Sequence, residues 1–391
     1  MGFAEKFCIL RRVILESPYE RSSIMDPKSE AEVIKIRAAV LRKRGGPLKI
    51  ETIEMEGPRD DEVLVRLVAS GICYTDIAFR DQWVRADGAL VLGHEGAGVV
   101  ERVGKQVKGV KAGDHVVLSY QSCGRCPPCR RGRPVACERF WDANFGFERL
   151  DGSNAYERGG VRGHFFGQSS FATHTLTTKR NLVKVAKDLP LELLAPLGCG
   201  IQTGAGTVMN SLKVRKGMSV AIFGTGAVGL SAVLASHLVG ADPIIGVDIK
   251  PKRLRLAQEL GATHVIDSHR DDVAAQIARI TGRGVDHVLE ITGSPKMYRL
   301  AVSVLNPNGV VAIFTGESGR DDLTGGRKTV SIIEGDAVPQ RFIPRLIKLY
   351  REGKFPFDRL LRFYPFGHIN RAMADSEHGT TVKPVLRISE P

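Results

Sequence analysis

The residues with the greatest chemical potential lie in Gly93-His94-Glu95-Gly96-Ala97-Gly98, which sets an imidazole beside a carboxylate between glycines that let backbone crowd in. A histidine next to a glutamate carries little by itself, because such residues usually sit satisfied in a core or on a surface. Two cysteines change the reading: Cys73 in Gly71-Ile72-Cys73-Tyr74-Thr75-Asp76, and Cys199 in Pro196-Leu197-Gly198-Cys199-Gly200. Two thiolates and one neutral imidazole are ligand types that zinc takes in three-ligand catalytic sites with an open fourth position, although nothing in the spacing of residues 73, 94 and 199 by itself brings them together.

A second cysteine cluster has a different character. Cys123, Cys126, Cys129 and Cys137 follow the spacing C-x₂-C-x₂-C-x₇-C on one stretch. Four thiolates on one loop suit a closed tetrahedral zinc site with no room for substrate. Free thiols or a redox pair would not explain four at once. The role implied is structural, since the loop has little hydrophobic content of its own.

The third motif is Gly224-Thr225-Gly226-Ala227-Val228-Gly229. A bare G-x-G-x-x-G is weak evidence. Here it follows the apolar run Ser219–Phe223, opens a helical pattern that Gly240 stops, and precedes Ile244–Asp248, whose last residue is acidic. A strand, a glycine turn, a helix and an acidic residue about twenty positions on are the dinucleotide-binding signature. Gly224 and Gly226 allow the pyrophosphate to approach the helix N-terminus, and Gly229 lets helix and strand pack.

These motifs need a large scaffold. At 391 residues two domains are expected, and 43% hydrophobic with 25% charged residues is the balance of a globular protein rather than a disordered or fibrous one. The formal charge of +13 raises the question of nucleic acid. Lys and Arg are spread from end to end, however, with only short clusters such as Arg130, Arg131 and Arg133, so a solvated basic surface that favours an anionic cofactor fits better. Seven cysteines, four of them in one loop, do not make a disulfide scaffold. Thiolate ligands must stay reduced, which implies a cytoplasmic or similar compartment.

Val220–Ala241 carries no Asp, Glu, Lys or Arg and is long enough to span a bilayer on hydropathy, but it contains the glycine loop. Glu5, Lys6, Arg11 and Arg12 interrupt any secretory signal, Glu5, Glu16 and Glu20 count against a mitochondrial leader, and Gly2 lacks the Ser or Thr at position 6 that myristoylation wants. Residues 1–30 show no sustained period and are expected to form a disordered extension, with Met25 an alternative start.

Ordered structure is expected from Ile34. Short β-rich runs follow at Glu62–Val68, Ala97–Val103 and His115–Leu118, forming an irregular, mostly β domain. After Cys199 strands and helices alternate: a helix from Pro251 to Leu260, Thr263–Asp267, a helix around Val273–Ile280, Val285–Ile291, a helix from Pro295 to Leu305, and Gly309–Phe314. That pattern predicts a doubly wound parallel sheet. Beyond Pro344 a helix leads to Phe363–Phe366, another helix, and Val385–Ile388, a β-like end that folds back onto the first domain.

With these residues in hand, the sequence resembles the zinc-dependent medium-chain alcohol dehydrogenases, the family for which the Cys₂His set is known, and within it the aryl-alcohol (benzyl alcohol) dehydrogenases. The resemblance covers roughly 35–390 and is most specific at Gly163–Phe171, Leu191–Gly206 and Phe342–Phe366. It implies an α/β protein: a GroES-like catalytic domain (31–190 and 352–391) carrying a structural zinc loop, and a Rossmann NAD-binding domain (191–351). It implies two zinc ions per subunit. Cys73, His94 and Cys199 would bind the catalytic one, Glu95 would approach it during ligand exchange, and Asp76 would fix the His94 tautomer. Thr75 would carry the proton from the alcohol. The histidine that ends this relay in many relatives is replaced here by Ala78, and Tyr74 stands where many have His or Arg facing the cofactor pyrophosphate. Lys383 is assigned as the substitute cation. Asp248 would accept the adenosine ribose hydroxyls and repel a 2′-phosphate, favouring NAD, with Arg253 nearby on the next helix. Tyr120, Phe165 and Phe166 would line a pocket for a flat apolar alcohol.

The expected activity is reversible oxidation of a primary aromatic or allylic alcohol with hydride transfer to NAD. The alternatives are a glutathione-dependent formaldehyde dehydrogenase of the same fold, and a nucleic-acid-binding protein using the Cys₄ loop as a zinc ribbon. The second leaves Cys73, His94, Cys199 and the glycine loop unexplained. Neither a nucleic-acid nor a membrane partner is expected. A homo-oligomer is expected from the resemblance but weakened here, because Thr315–Val330 is rich in Gly and charge and poor in the β-branched residues of a dimer-spanning strand.

Overall fold

The computed structural model describes residues 32–82, 88–314 and 323–390. The extension expected at 1–30 and residues 315–322 of the assembly segment lie outside the described residues. The chain divides into two compact units. Of the described residues, one holds those between 32 and 199 together with 338–343 and 361–390; the other holds those between 200 and 337 together with 344–360.

The first unit is built on two sheets. Strands β1 (Val33–Leu41) and β2 (Leu48–Glu56) pair antiparallel, Val33 opposite Glu56 and Leu41 opposite Leu48. They join β4 (Ala89–Val91) and β7 (Val161–Arg162) in the order β2-β1-β4-β7. The second sheet contains β3 (Glu62–Gly71), β5 (Glu95–Val103), β6 (His115–Leu118), β8 (His174–Thr178), β9 (Leu182–Val185), β16 (Leu361–Pro365) and β17 (Lys383–Arg387). Its order is β16-β17-β3-β5-β6-β9, with β8 pairing β3 as well. Strand β3 is the centrepiece, with nine of its ten residues buried. That suits its sequence, a near-continuous apolar run from Val63 to Ala69 rather than an alternating one. The chain end does fold back: β17 pairs antiparallel with β3, Val385 opposite Gly71.

The second unit carries one six-stranded parallel sheet: β10 (Val220–Phe223), β11 (Ile244–Asp248), β12 (His264–Asp267), β13 (Val285–Glu290), β14 (Leu305–Ile313) and β15 (Lys328–Ser331). The order β12-β11-β10-β13-β14-β15, all pairs parallel, is that of a dinucleotide-binding doubly wound sheet. Helices Ala227–Val239, Pro251–Glu259, Val273–Thr281 and Pro295–Ser303 make the crossovers. The core gathers Phe223, Ile245, Val247, Val288, Val311 and Ile313. Each such side chain contributes about 1.5–3 kcal/mol by leaving water.

Three boundaries depart from the sequence reading. Leu191–Cys199 belongs to the first unit, because Gly198 is bonded there: its carbonyl accepts from Ser119 Oγ at 2.6 Å. Residues 352–360 belong to the second, where the Phe357 ring packs on Tyr350 and Arg359 pairs with Glu259. The helix expected beyond Pro344 runs Pro339–Arg351. Pro339 takes its first position, where a missing N–H costs nothing, and Pro344 sits on its exposed face. Strand β15 forms despite its polar approach, at the sheet edge with Lys328 and Ser331 exposed.

Candidate active site

Strand pairing explains why residues distant in sequence meet. Strand β3 ends at Gly71 opposite Glu95, the first residue of β5, and Val385 of β17 also faces Gly71. Cys73, His94 and Lys383 each lie within two residues of this junction. Cys199 arrives through the Ser119–Gly198 hydrogen bond at the end of β6. One metal-ligand atom each from Cys73, His94, Glu95 and Cys199 lies within 4.8 Å of the others. Gly71 is a necessity here, since a Cβ at that position would stand 2.0 Å from Glu95 Oε2.

Asp76 organises two of these residues. Its Oδ2 accepts from the Cys73 N–H at 2.9 Å, and its Oδ1 accepts from the Gly93 N–H at 3.0 Å and lies 2.9 Å from His94 Nδ1. A carboxylate on Nδ1 leaves Nε2 as the free lone pair in the neutral ring. That Nε2 is buried and has no hydrogen-bond partner. An orphaned imidazole nitrogen facing two thiols is costly unless something binds it, and a zinc ion with nitrogen and sulfur ligands fits. The neighbouring Cys199 thiol, against the opposing effect of burial, holds Cys73 well below the usual thiol range, with His94 and the Lys383 ammonium adding to the effect. Burial opposes a charge on His94, but Asp76 outweighs it and lifts the imidazole well above its ordinary value. A metal ion would displace that proton. The Cys73 thiol points to Thr75 Oγ1 at 3.7 Å, so Thr75 lies beside the ligand set. Ala78 is buried with no polar group to extend a relay, and Tyr74 is 43% exposed.

Lys383 does not do what the sequence reading assigned. It is 2% exposed, and its Nζ donates to Glu95 Oε1 at 2.8 Å, Glu95 Oε2 at 3.0 Å and the Ile72 carbonyl at 3.1 Å. Those bonds use its three donors, leaving none for a cofactor phosphate. Burial pushes the Glu95 carboxyl up, with Lys383 pulling the other way. Burial alone would lower the Lys383 ammonium, but Glu95 and the Cys73 thiolate raise it above the usual range.

The three aromatic residues are all buried. Phe166 stacks on the His94 ring at 4.4 Å between centroids and Phe165 meets the same ring edge-on at 5.6 Å. Phe165 also packs against Phe79, Phe145 and Phe147, and Tyr120 packs against Phe140. A polar cleft of about 360 Å³ opens elsewhere in the unit, beside Arg59, Arg149 and His164, and includes neither Cys73, His94 nor Cys199.

Cys123, Cys126, Cys129 and Cys137 also present sulfurs within 4.8 Å of one another. None of the six described cysteines is in a disulfide. Burial works against ionising Cys123, but backbone N–H groups of Arg125 and Cys126 outweigh it and bring its thiol down to about 6. Such thiolate-directed N–H groups suit a metal loop.

In the second unit the glycine loop joins β10 to the helix Ala227–Val239. A Cβ on Gly229 would lie 2.0 Å from the Gly224 carbonyl, the close helix–strand packing that the spacing predicts. Asp248 ends β11 beside this loop: Oδ2 accepts from Thr225 N (2.7 Å) and Oγ1 (2.9 Å), and Oδ1 from the N–H groups of Ile249 and Lys250. Arg253 reaches over Gly226, its Nη1 4.0 Å from where a Cβ would stand, and its buried Nε has no partner.

Comparison with known proteins matches residues 59–187 to the alcohol dehydrogenase GroES-like domain and 227–333 to the zinc-binding dehydrogenase domain. The chain is 47% identical over 368 residues to geraniol dehydrogenase of Castellaniella defragrans, covering 91% of this chain and 98% of that one. The chain belongs to the zinc-binding alcohol dehydrogenase family. The crystal structure of benzyl alcohol dehydrogenase from Acinetobacter calcoaceticus superposes with a TM-score of 0.87 at 45% identity, covering 91% of this chain and all (100%) of that one. The crystal structure of an alcohol dehydrogenase zinc-binding domain protein from Burkholderia ambifaria gives the same TM-score, 0.87, at 49% identity, over 92% of this chain and 100% of its own. The chain is therefore a zinc alcohol dehydrogenase of GroES-like plus Rossmann architecture. Sequence reasoning missed Gln168 and Ser119, whose bonds to the ligand loops are described below. The only signal was the specificity of the Gly163–Phe171 segment that contains Gln168. Among the described residues no helix is long and apolar enough to cross a membrane.

Proposed function

We propose that this dehydrogenase oxidises a primary aromatic or allylic alcohol to the aldehyde, reversibly, with NAD as hydride acceptor. The observation that carries the reading is the clustered trio Cys73, His94 and Cys199, with the His94 Nε2 orphaned. Zinc held by that trio would supply Lewis acidity at an open position, the means by which a hydroxyl loses its proton near neutral pH. NAD held at the Gly224–Gly229 loop would accept the hydride. Around them, Asp76 keeps the His94 tautomer, and Thr75 Oγ1 receives the alcohol proton. Lys383 holds Glu95, which remains within reach of the ligand set for exchange. Phe166, with Phe165 and Tyr120, presents the apolar aromatic wall that a flat alcohol prefers. Asp248 accepts the adenosine ribose hydroxyls and disfavours a 2′-phosphate. One zinc acts in catalysis and one is structural, in the Cys₄ loop, and the working compartment is the cytoplasm.

The named relatives act on geraniol and benzyl alcohol, so neither the formaldehyde nor the nucleic-acid alternative is favoured. The test is an alcohol panel followed by NADH absorbance without added thiol. Benzylic and allylic alcohols are expected to exceed ethanol in kcat/KM, and NAD to exceed NADP. A requirement for glutathione, or equal use of both cofactors, would defeat the reading. In the same assay Asp248→Ala combined with Ile249→Arg is expected to move preference towards NADP, since Ile249 is 51% exposed at the end of β11.

For assembly, the edge strand β15 is four residues long and half exposed, which supports a weakened homo-oligomer. Light scattering across a dilution series is expected to show dissociation. A dimer persisting at nanomolar concentration would reject this.

A further inference from the structure

Phe165 and Phe166 of the Gly163–Phe171 segment pack on the His94 ring, but Gln168 faces elsewhere. It is wholly buried, at 0% exposure. Its Nε2 donates to the His94 carbonyl at 2.9 Å and the Ser119 carbonyl at 3.1 Å, and its Oε1 accepts from the Gly96 N–H at 3.1 Å. The amide has one workable orientation. Flipped, it would set its oxygen against two carbonyl oxygens and its nitrogen against an N–H. Its own backbone is anchored by Gln168 N to Phe165 O at 3.0 Å, and its carbonyl accepts from Thr175 Oγ1.

The partners are the backbone of the ligand loops. His94 is one ligand of the trio, and Gly96 lies two residues beyond it. Ser119 in turn donates from Oγ to the Gly198 carbonyl at 2.6 Å, one residue before the ligand Cys199. Asp76 already ties Cys73 to His94. We propose that Gln168 is the complementary strut, a positioning residue that ties His94 through Ser119 to the Cys199 loop, so that the side chains of Asp76, Gln168 and Ser119 together fix the triangle of metal ligands. Gln168 acts on the backbone that presents the ligands and touches neither metal nor substrate. This rests on the reading of Cys73, His94 and Cys199 as the catalytic zinc ligands.

The test uses the zinc-loaded full chain. Gln168→Met fills the same volume without polar atoms, and Gln168→Glu keeps the acceptor for Gly96 but turns a carboxylate oxygen towards two carbonyls. Both are expected to weaken catalytic zinc binding roughly tenfold to a hundredfold, the usual effect of losing a partner behind a ligand, and so to release that zinc to a chelator faster than wild type. The Cys₄ zinc should leave at the wild-type rate. With cobalt(II) in the catalytic site, the thiolate charge-transfer and d–d bands should shift, reporting altered ligand geometry. A merely structural Gln168 would lower the melting temperature while leaving the release rate and cobalt spectrum of the folded protein unchanged, and that result overturns the proposal. Should neither variant fold, Ser119→Ala cuts the second link and decides by the same two readouts. Wild-type protein that binds only the Cys₄ zinc would overturn the ligand reading itself, whereas wild type with two zincs and unaffected variants would overturn the strut alone.

Discussion

Cys199→Ala is expected to abolish turnover while leaving melting close to wild type, whereas Cys126→Ala is expected to lower melting and solubility first. Cys199 is buried in the first unit, where its neighbours are held by backbone bonds and a seven-stranded sheet. Truncating one sulfur there removes a ligand and half of the thiolate charge that balances Zn²⁺, and leaves the sheet intact. Catalysis at an open zinc position depends on that ligand field. The Cys₄ loop is different. Its helical turns Pro127–Arg130 and Pro134–Ala136 contain no buried residue, so little but the metal holds them. Structural zinc contributes folding free energy directly, and losing one of four ligands forfeits much of it. The measurements are zinc per chain, initial NADH rate and thermal melting on each variant. Each should retain one zinc. If both variants lost only stability, or both only activity, the division into a catalytic and a structural site would be wrong.

The parts of this enzyme that the sequence disclosed are those with local grammar. The Cys₄ spacing and the strand–glycine–helix–acid unit from Ser219 to Asp248 each lie within one stretch, and both fold as their spacing predicts. The trio of Cys73, His94 and Cys199 spans most of a domain, and resemblance rather than spacing brought it together. What stayed hidden depends on tertiary burial. Lys383 reads as a cation for the cofactor pyrophosphate until β17 pairs with β3 and carries it to a carboxylate 288 residues away. Gln168 reads as a polar loop residue because its partners are backbone groups, which no side-chain pattern advertises. The cut at 190/191 came with the resemblance, whereas the alternation of strands and helices begins only after Cys199 and the turn from Leu191 packs with the first unit through Gly198.

Lys383→Met is expected to cost about 3–5 kcal/mol of stability, the usual penalty for leaving one member of a buried ion pair without its partner. Lys383 and Glu95 are 2% and 0% exposed, and both carboxylate oxygens accept from the one ammonium. With the ammonium gone, Glu95 must be desolvated as an anion beside Cys73, or take up a proton. The pair itself is not the source of the effect, since replacing both members of a buried pair is often nearly neutral. Lys383→Met with Glu95→Gln should therefore recover most of the loss, a strongly non-additive cycle for residues in contact. Urea unfolding of the zinc-loaded single and double variants measures this. Equal destabilisation of the two would show that packing, not charge, is at stake. The KM for NAD separates this assignment from a cofactor-phosphate role. It is expected to stay near wild type in Lys383→Met, because the Nζ donors already end on Glu95 and Ile72. A large rise in that KM with unchanged stability would return Lys383 to the pyrophosphate and sink the ion-pair reading.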